Sequence, residues 1–150
     1  PDCRSCALPP VKYLRDQRHV GTVEAVAKKM YPFPNEERPD RDVVVNVPVA
    51  KMAAGQANGK DLFPDIVVLR RPGAWLHEIA VVEMQDTVND ASALERWKPL
   101  SACGPLYIYV PAGMVSDARK LLKRHSIKIA GIRTWRFRPV WGVDVTEVSG

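Results

Sequence analysis

The chain has 150 residues, 46% apolar and 26% charged, and 22 Lys and Arg against 17 Asp and Glu give a formal charge of +5. That balance is ordinary for one soluble globular domain long enough to bury a real core. No apolar run approaches the roughly 20 residues of a membrane span and no signal-peptide pattern opens the sequence, so a cytoplasmic protein with no membrane contact is expected. The charge is a mild push toward polyanions.

Residues 1–19 read as an N-terminal arm. Cys3-Arg-Ser-Cys6 has zinc-knuckle spacing, but no second Cys-x-x-Cys follows, and His19 and Cys103 would have to complete the site. A redox pair would sit at a helix start after a strand. Plain surface thiols are the simpler expectation, and three cysteines do not make a secreted disulfide scaffold. Pro9-Pro10 and the cations Lys12, Arg15 and Arg18 follow, with Tyr13 and Leu14 as anchors onto the core.

The main domain is expected over 20–138, with 139–150 as a tail. Thr22 can cap a helix to about Met30 that buries Val23, Val26, Ala27 and Met30 and stops at Pro32 and Pro34. Glu24 lies in its first turn, where the helix dipole favours an acid. Residues 35–41 form a polar loop. The stretch 42–49 is a strand, apolar on both faces and therefore central or well covered. Residues 52–60, with Gly55, Asn58 and Gly59, read as loop.

Two β-branched runs, 66–69 and 79–82, flank Pro72-Gly73 and predict a hairpin. Pro64-Asp65 heads the first strand; Glu83 and Gln85 close the second. Alternation puts His77, Ile79, Val81, Glu83 and Gln85 on one face. With an odd loop centred on Ala74, Asp65 lies opposite Glu83, and the two carboxylates can share one ion. A four-residue loop sets Asp65 opposite Val82 instead and turns it to the other face. A Pro-Asp turn and a solvated Glu-x-Gln also occur at strand ends that bind nothing.

Asn89 or Asp90 starts a helix with Ala91, Leu94, Trp97 and Ser101 as its inner stripe, bent by Pro99 and ended by Gly104. Residues 106–110 form a buried strand, parallel to its neighbour because a crossover helix precedes it. A further helix to about His125 faces Val115, Ala118, Leu121 and Leu122 inward, with Arg119, Lys120, Lys123 and Arg124 outside. The last core strand, 127–137, interleaves Arg133, Arg136 and Arg138 with Trp135 and Phe137, a mixture able to grip phosphates and stack on bases. Arginines on the wet side of an edge strand equally need no ligand. Alternation of Trp141, Val143 and Val145 predicts one more strand.

Pro64-Asp65 with Glu83-Met84-Gln85, set in this order of elements over 20–137, resembles the metal-dependent nuclease superfamily with a proline-aspartate then acid-x-lysine motif. The resemblance implies a three-layer α/β restriction-endonuclease-like core, αβββαβ, with a mixed twisted sheet and an extra C-terminal helix and strand. It implies hydrolysis of DNA phosphodiesters with Mg²⁺ or Mn²⁺ held by Asp65, Glu83 and the backbone oxygen of Met84. Glu24 would complete the metal shell. Gln85 stands where the family has lysine, as in some active relatives; it would position water without acting as a base, and Lys98 could supply the missing cation from the following helix. Arg133, Arg136 and Arg138 would bind the nucleic acid. The alternative is a module that keeps the fold and binds nucleic acid or protein without chemistry, and a homodimer stays open in either case.

Overall fold

Val67, Leu69, Ile79 and Val81 all lie below one-tenth exposure on one side of a sheet, while Ile66, Val68, Ala80 and Val82 are as deeply buried on the other. Strands apolar on both faces need cover on both, and helices supply it. The computed structural model describes the backbone of residues 11–148 and the side chains of 14–148. Cys3 and Cys6 lie outside the described residues.

The elements are α1 (Val11–Met30), β1 (Arg41–Val45), β2 (Gly55–Ala57), β3 (Lys60–Leu62), β4 (Ile66–Arg70) and β5 (Trp75–Val82), then a composite helix, α2. In α2 a π-helical turn, Ala93–Trp97, joins α-helical Asp90–Ser92 to Lys98–Ser101. β6 (Leu106–Pro111), α3 (Val115–Arg124), β7 (Gly131–Arg138) and β8 (Gly142–Val148) complete the chain. The main sheet has the order β1-β4-β5-β6-β7-β8. β5/β6 and β6/β7 are parallel; the remaining pairs are antiparallel. The fold is therefore α/β with a six-stranded mixed sheet. α1 packs Val23, Val26 and Ala27 on one face; Ala93, Trp97 and Leu100 of α2 and Ala118 and Leu121 of α3 cover the other.

Several expectations change. The first helix begins at Val11, not Thr22; the Thr22 hydroxyl donates back to the Arg18 carbonyl at 2.8 Å within it, as a mid-helix threonine does. The stretch 52–60 is not simple loop: Asn58 and Gly59, both at positive φ, turn β2 into β3. Asn-Gly is the residue pair such a tight hairpin turn demands. In α2 the buried stripe is Ala93, Trp97 and Leu100, and Leu94 is half exposed. Pro99 lacks an N–H and would clash with a carbonyl one turn back. The π turn immediately before it, closed by the Lys98 amide on the Ala93 carbonyl, rotates the register of the helix by one residue. The tail does form a strand, β8, at the sheet edge.

The central hairpin combines both register possibilities. Next to its tip Arg70 faces Trp75, leaving a four-residue loop, 71–74. That pairing would set Asp65 across from Ala80, on the α1 face. Between Val68 and Leu69 the register shifts: Leu69 faces Leu76, but Val68 faces Glu78, so His77 is an extra residue. Such a bulge changes the parity of everything beyond it. Extending the ladder from Ile66–Ala80 by one residue sets Asp65 across from Val81, two short of Glu83 but on the same face. Deleting His77 is expected to cost more than about 3 kcal/mol, because either the tip or the buried end of the hairpin must invert. His77→Ala keeps the extra residue and should stay within about 1 kcal/mol of the parent. Urea unfolding of the two variants checks this, and equal midpoints would contradict it.

Candidate functional site

The buried polar side chains among the described residues are Asn46, Asp65 and Glu83, and all three gather at one end of the β1-β4-β5 edge. Asn46 continues β1 by donating its amide to the Asp65 carbonyl at 2.9 Å. Its side-chain amide donates to the carbonyls of Met52 and Pro64, both at 2.8 Å, and its oxygen accepts from the Lys51 and Met52 amides. One asparagine thus fixes the 46–52 loop and the peptide just before Asp65.

Asp65 is 2% exposed, and its Oδ2 accepts from the Val82 amide at 2.7 Å, closing the ladder where β4 begins. His19 Nε2 lies 3.3 Å from the same oxygen and 3.0 Å from the Val82 carbonyl. Both are acceptors, so Nε2 carries the hydrogen. Oδ1 faces Arg96 Nη2 at 3.4 Å. Glu83, also 2% exposed, accepts from Trp97 Nε1 at 3.1 Å and lies 3.7 Å from Arg96 Nη1. The Glu83 backbone is pinned on both sides, its amide donating to Tyr109 and its carbonyl accepting from Trp135 Nε1 at 3.0 Å.

The two carboxylates therefore share a guanidinium. Burial opposes ionisation of Asp65, but Arg96, His19 and the Val82 amide together outweigh it and hold the carboxyl below its ordinary range. Burial dominates at Glu83 and raises its carboxyl, with Asp65 adding to the rise against Arg96, Thr87 and Trp97. Arg96 is raised: burial works against its charge, but Asp65 and Glu83 more than compensate. His19 is raised too, burial being outweighed by its bond to Asp65 and the nearby negative charge.

Of the residues the sequence singles out, Asp65 and Glu83 come together; the others stand apart. Gln85 is exposed in a turn beyond the end of β5, because the strand stops at Val82. The Met84 carbonyl closes that turn, accepting from the Thr87 amide at 3.1 Å and the Thr87 hydroxyl at 3.2 Å. Glu24 is exposed on α1, while His19 of the same helix reaches Asp65. Lys98 is exposed on α2; the cation from that helix is Arg96, delivered by the π turn. Arg133 is tied up: it bonds Glu147 and the Tyr109 hydroxyl (2.7 Å) and lies over the Tyr107 ring at 4.0 Å. Arg138 pairs with Asp144 at 2.9 Å. By strand alternation Arg136 and Arg138 occupy the opposite face from Trp135 and Phe137. Cys103 packs beside Gly55, with burial raising its thiol, and shares no ligand set with His19. His19, Asn46 and Arg96 are the participants sequence reasoning missed. Only Arg96 carries a local signal, one residue before the buried Trp97.

A cavity of about 260 Å³ opens over Glu83 and Arg96, lined also by Arg15, Asp16, His19 and Asp86 among others, with Asp65 buried behind them. The donors suit a hard divalent ion in kind: Mg²⁺ is held by one or two carboxylates and keeps waters for the rest. Arg96, its side chain one-third exposed, marks the cation position that both carboxylates address. Among the described residues no group of three or more His, Cys, Asp or Glu side chains converges to hold a metal. No helix among them is long and apolar enough to cross a membrane. The chain matches no protein-family model, no curated protein and no solved structure.

Because the Glu83 carboxyl is raised, its protonated form favours folding; that contribution is complete below the unfolded-state pKa and is lost as pH rises through the folded one. Glu83→Gln keeps the acceptor for Trp97 and leaves a neutral Asp65–Arg96 pair. In the presence of chelator it should stabilise the protein at pH 7 to 8 by on the order of 1 kcal/mol, the gain vanishing near pH 4. Denaturant midpoints across that range measure it; a gain that grows toward acid would reverse the sign.

Proposed function

We propose that the protein is a Mg²⁺- or Mn²⁺-dependent phosphodiesterase acting on DNA, built on a restriction-endonuclease-like core. The observation that carries this reading is the convergence of Asp65 and Glu83, from adjacent strands, on one cation position at a sheet end that opens into a cleft. Asp65 and Glu83 would hold the ion, with Arg96 moving off the pair. A bound ion of this kind makes water a nucleophile near neutral pH and offsets charge on the phosphate. Arg96, once displaced, stays anchored to α2 beside the cavity and supplies a fixed guanidinium for a phosphate oxygen. His19 is the side chain lining that cavity whose ordinary titration range lies nearest neutral pH, suited to holding a proton there. The Asn46 bonds and the Trp135 bond keep both acids in register without taking part.

A second reading, a non-catalytic nucleic-acid- or protein-binding module, is favoured by a specific feature: a guanidinium already neutralises the pair, and Gln85 turns out of the site. Arg96→Ala separates the two. Removing the guanidinium leaves two buried carboxylates uncompensated, and a loss of about 3–5 kcal/mol at pH 7 is expected. On the enzyme reading, millimolar Mn²⁺ restores much of that loss in Arg96→Ala but not in Arg96→Ala/Asp65→Asn, followed by thermal unfolding. The parent protein should nick plasmid with Mn²⁺, and Asp65→Asn should abolish nicking. Absence of both rescue and nicking would remove the enzyme reading and leave the module.

A further inference from the structure

The cavity over Glu83 is one end of a longer track. It shares Arg15, Met84 and Asp86 with a cleft of about 450 Å³ that also holds Arg18 and Trp135. That cleft shares Arg18, Met84 and Trp135 with a third space of about 500 Å³, walled by Phe137 and Val143. Each of the two larger spaces lies in the usual volume range of a small-molecule site. Along one side α1 presents Arg15 and Arg18, both exposed, Arg15 paired with Asp86 at 2.9 Å; along the other β7 presents the rings of Trp135 and Phe137.

We propose that this track is a subsite for unpaired nucleotides, so that the nucleic acid taken by the site is single-stranded. The proposal rests on the nucleic-acid reading above and names its substrate class. Phe137 is 67% exposed, an aromatic ring left uncovered at the rim of a groove. Trp135 is held in place by its bond to the Glu83 carbonyl, which ties the stacking surface directly to the backbone of a site carboxylate. A ring pair on one wall and guanidinium groups on the other match a strand whose bases stack on one side while its phosphates follow the cations. Duplex DNA hides its base faces in its own stack and offers these rings nothing. Charge complementarity selects this occupant: Arg15 is held by Asp86 at 2.9 Å, and a purely apolar partner would leave the exposed Arg18 guanidinium facing it without an anion in contact.

The test is fluorescence anisotropy in EDTA, with labelled oligothymidylate and a duplex of equal length, on the full chain. The single strand should bind at least ~10-fold more tightly, and Phe137→Ala should weaken it roughly 5- to 50-fold, the loss expected for one stacked base. Trp141→Ala is the control: that ring is 80% exposed on the same hairpin but lines none of the three spaces, and its removal should change nothing. Equal or tighter duplex binding, equal effects of the two substitutions, or no binding to either oligonucleotide would overturn the proposal. Metal plays no part in this measurement, so single-strand preference without cleavage keeps the subsite and removes the phosphodiesterase reading. Cleavage of both substrates, unaltered by Phe137→Ala, does the reverse.

Discussion

Two carboxylates at 2% exposure on the same face of a sheet must repel, and in this fold they coexist because one guanidinium stands between them. Arg96 could not be replaced by a more distant cation. The penalty for burying an ion is offset only by a partner in direct contact, with the remaining lone pairs hydrogen-bonded. That condition is met throughout: Asp65 also takes the Val82 amide and His19, Glu83 also takes Trp97, and no buried side-chain polar atom among the described residues lacks a partner.

The contacts of Arg96 in turn explain features of the fold that look accidental in isolation. The π turn in α2 makes Arg96 and Trp97, consecutive in sequence, both contact the same carboxylate. The His77 bulge turns Asp65 onto the face where that arginine lies, undoing the parity set by a four-residue loop. α1 crosses the opposite face, yet His19 comes round the end of the sheet to close the cluster. Backbone irregularities persist where surrounding structure over-determines them, and here two of them aim side chains at one point.

The pattern of apolar residues made β4, β5 and β6, their mixed directions and the cover on both faces legible, since period and length are read directly from sequence. Asp65 and Glu83 were legible as a pair because one heads and the other closes an apolar strand of the same hairpin. Their register was not, because a single inserted residue such as His77 has no periodic signature. Lys98 came forward only through the resemblance and is exposed; the bend expected at Pro99 was legible, but not that it takes the form of a π turn bringing Arg96 to the acids. The β7 arginines were legible either as a phosphate grip or as a wet edge needing no ligand; that two of them pair with Glu147 and Asp144 of β8 depends on cross-strand register, which no local pattern gives. His19 and Asn46 act across long sequence separations, 46 residues from His19 to Asp65 and 18 from Asn46 to Pro64, which no local pattern encodes.

The charges within the cluster do not balance on their own. With both acids ionised and His19 neutral, Asp65, Glu83 and Arg96 sum to one negative charge in a space that disfavours any. A proton on Glu83 or on His19 closes the balance: burial raises the Glu83 carboxyl, while at His19 burial is outweighed by Asp65 and Glu83, which raise it. A divalent ion in place of the guanidinium would close it with both acids ionised and His19 neutral. The same arithmetic shows why the displaced Arg96 must then find another anion. In the cavity beside it there are two exposed acids, Asp86, already paired with Arg15 at 2.9 Å, and Asp16. On the phosphodiesterase reading a bound phosphate would compete with Asp16 for that guanidinium, so cation and polyanion would favour each other's entry to this sheet end.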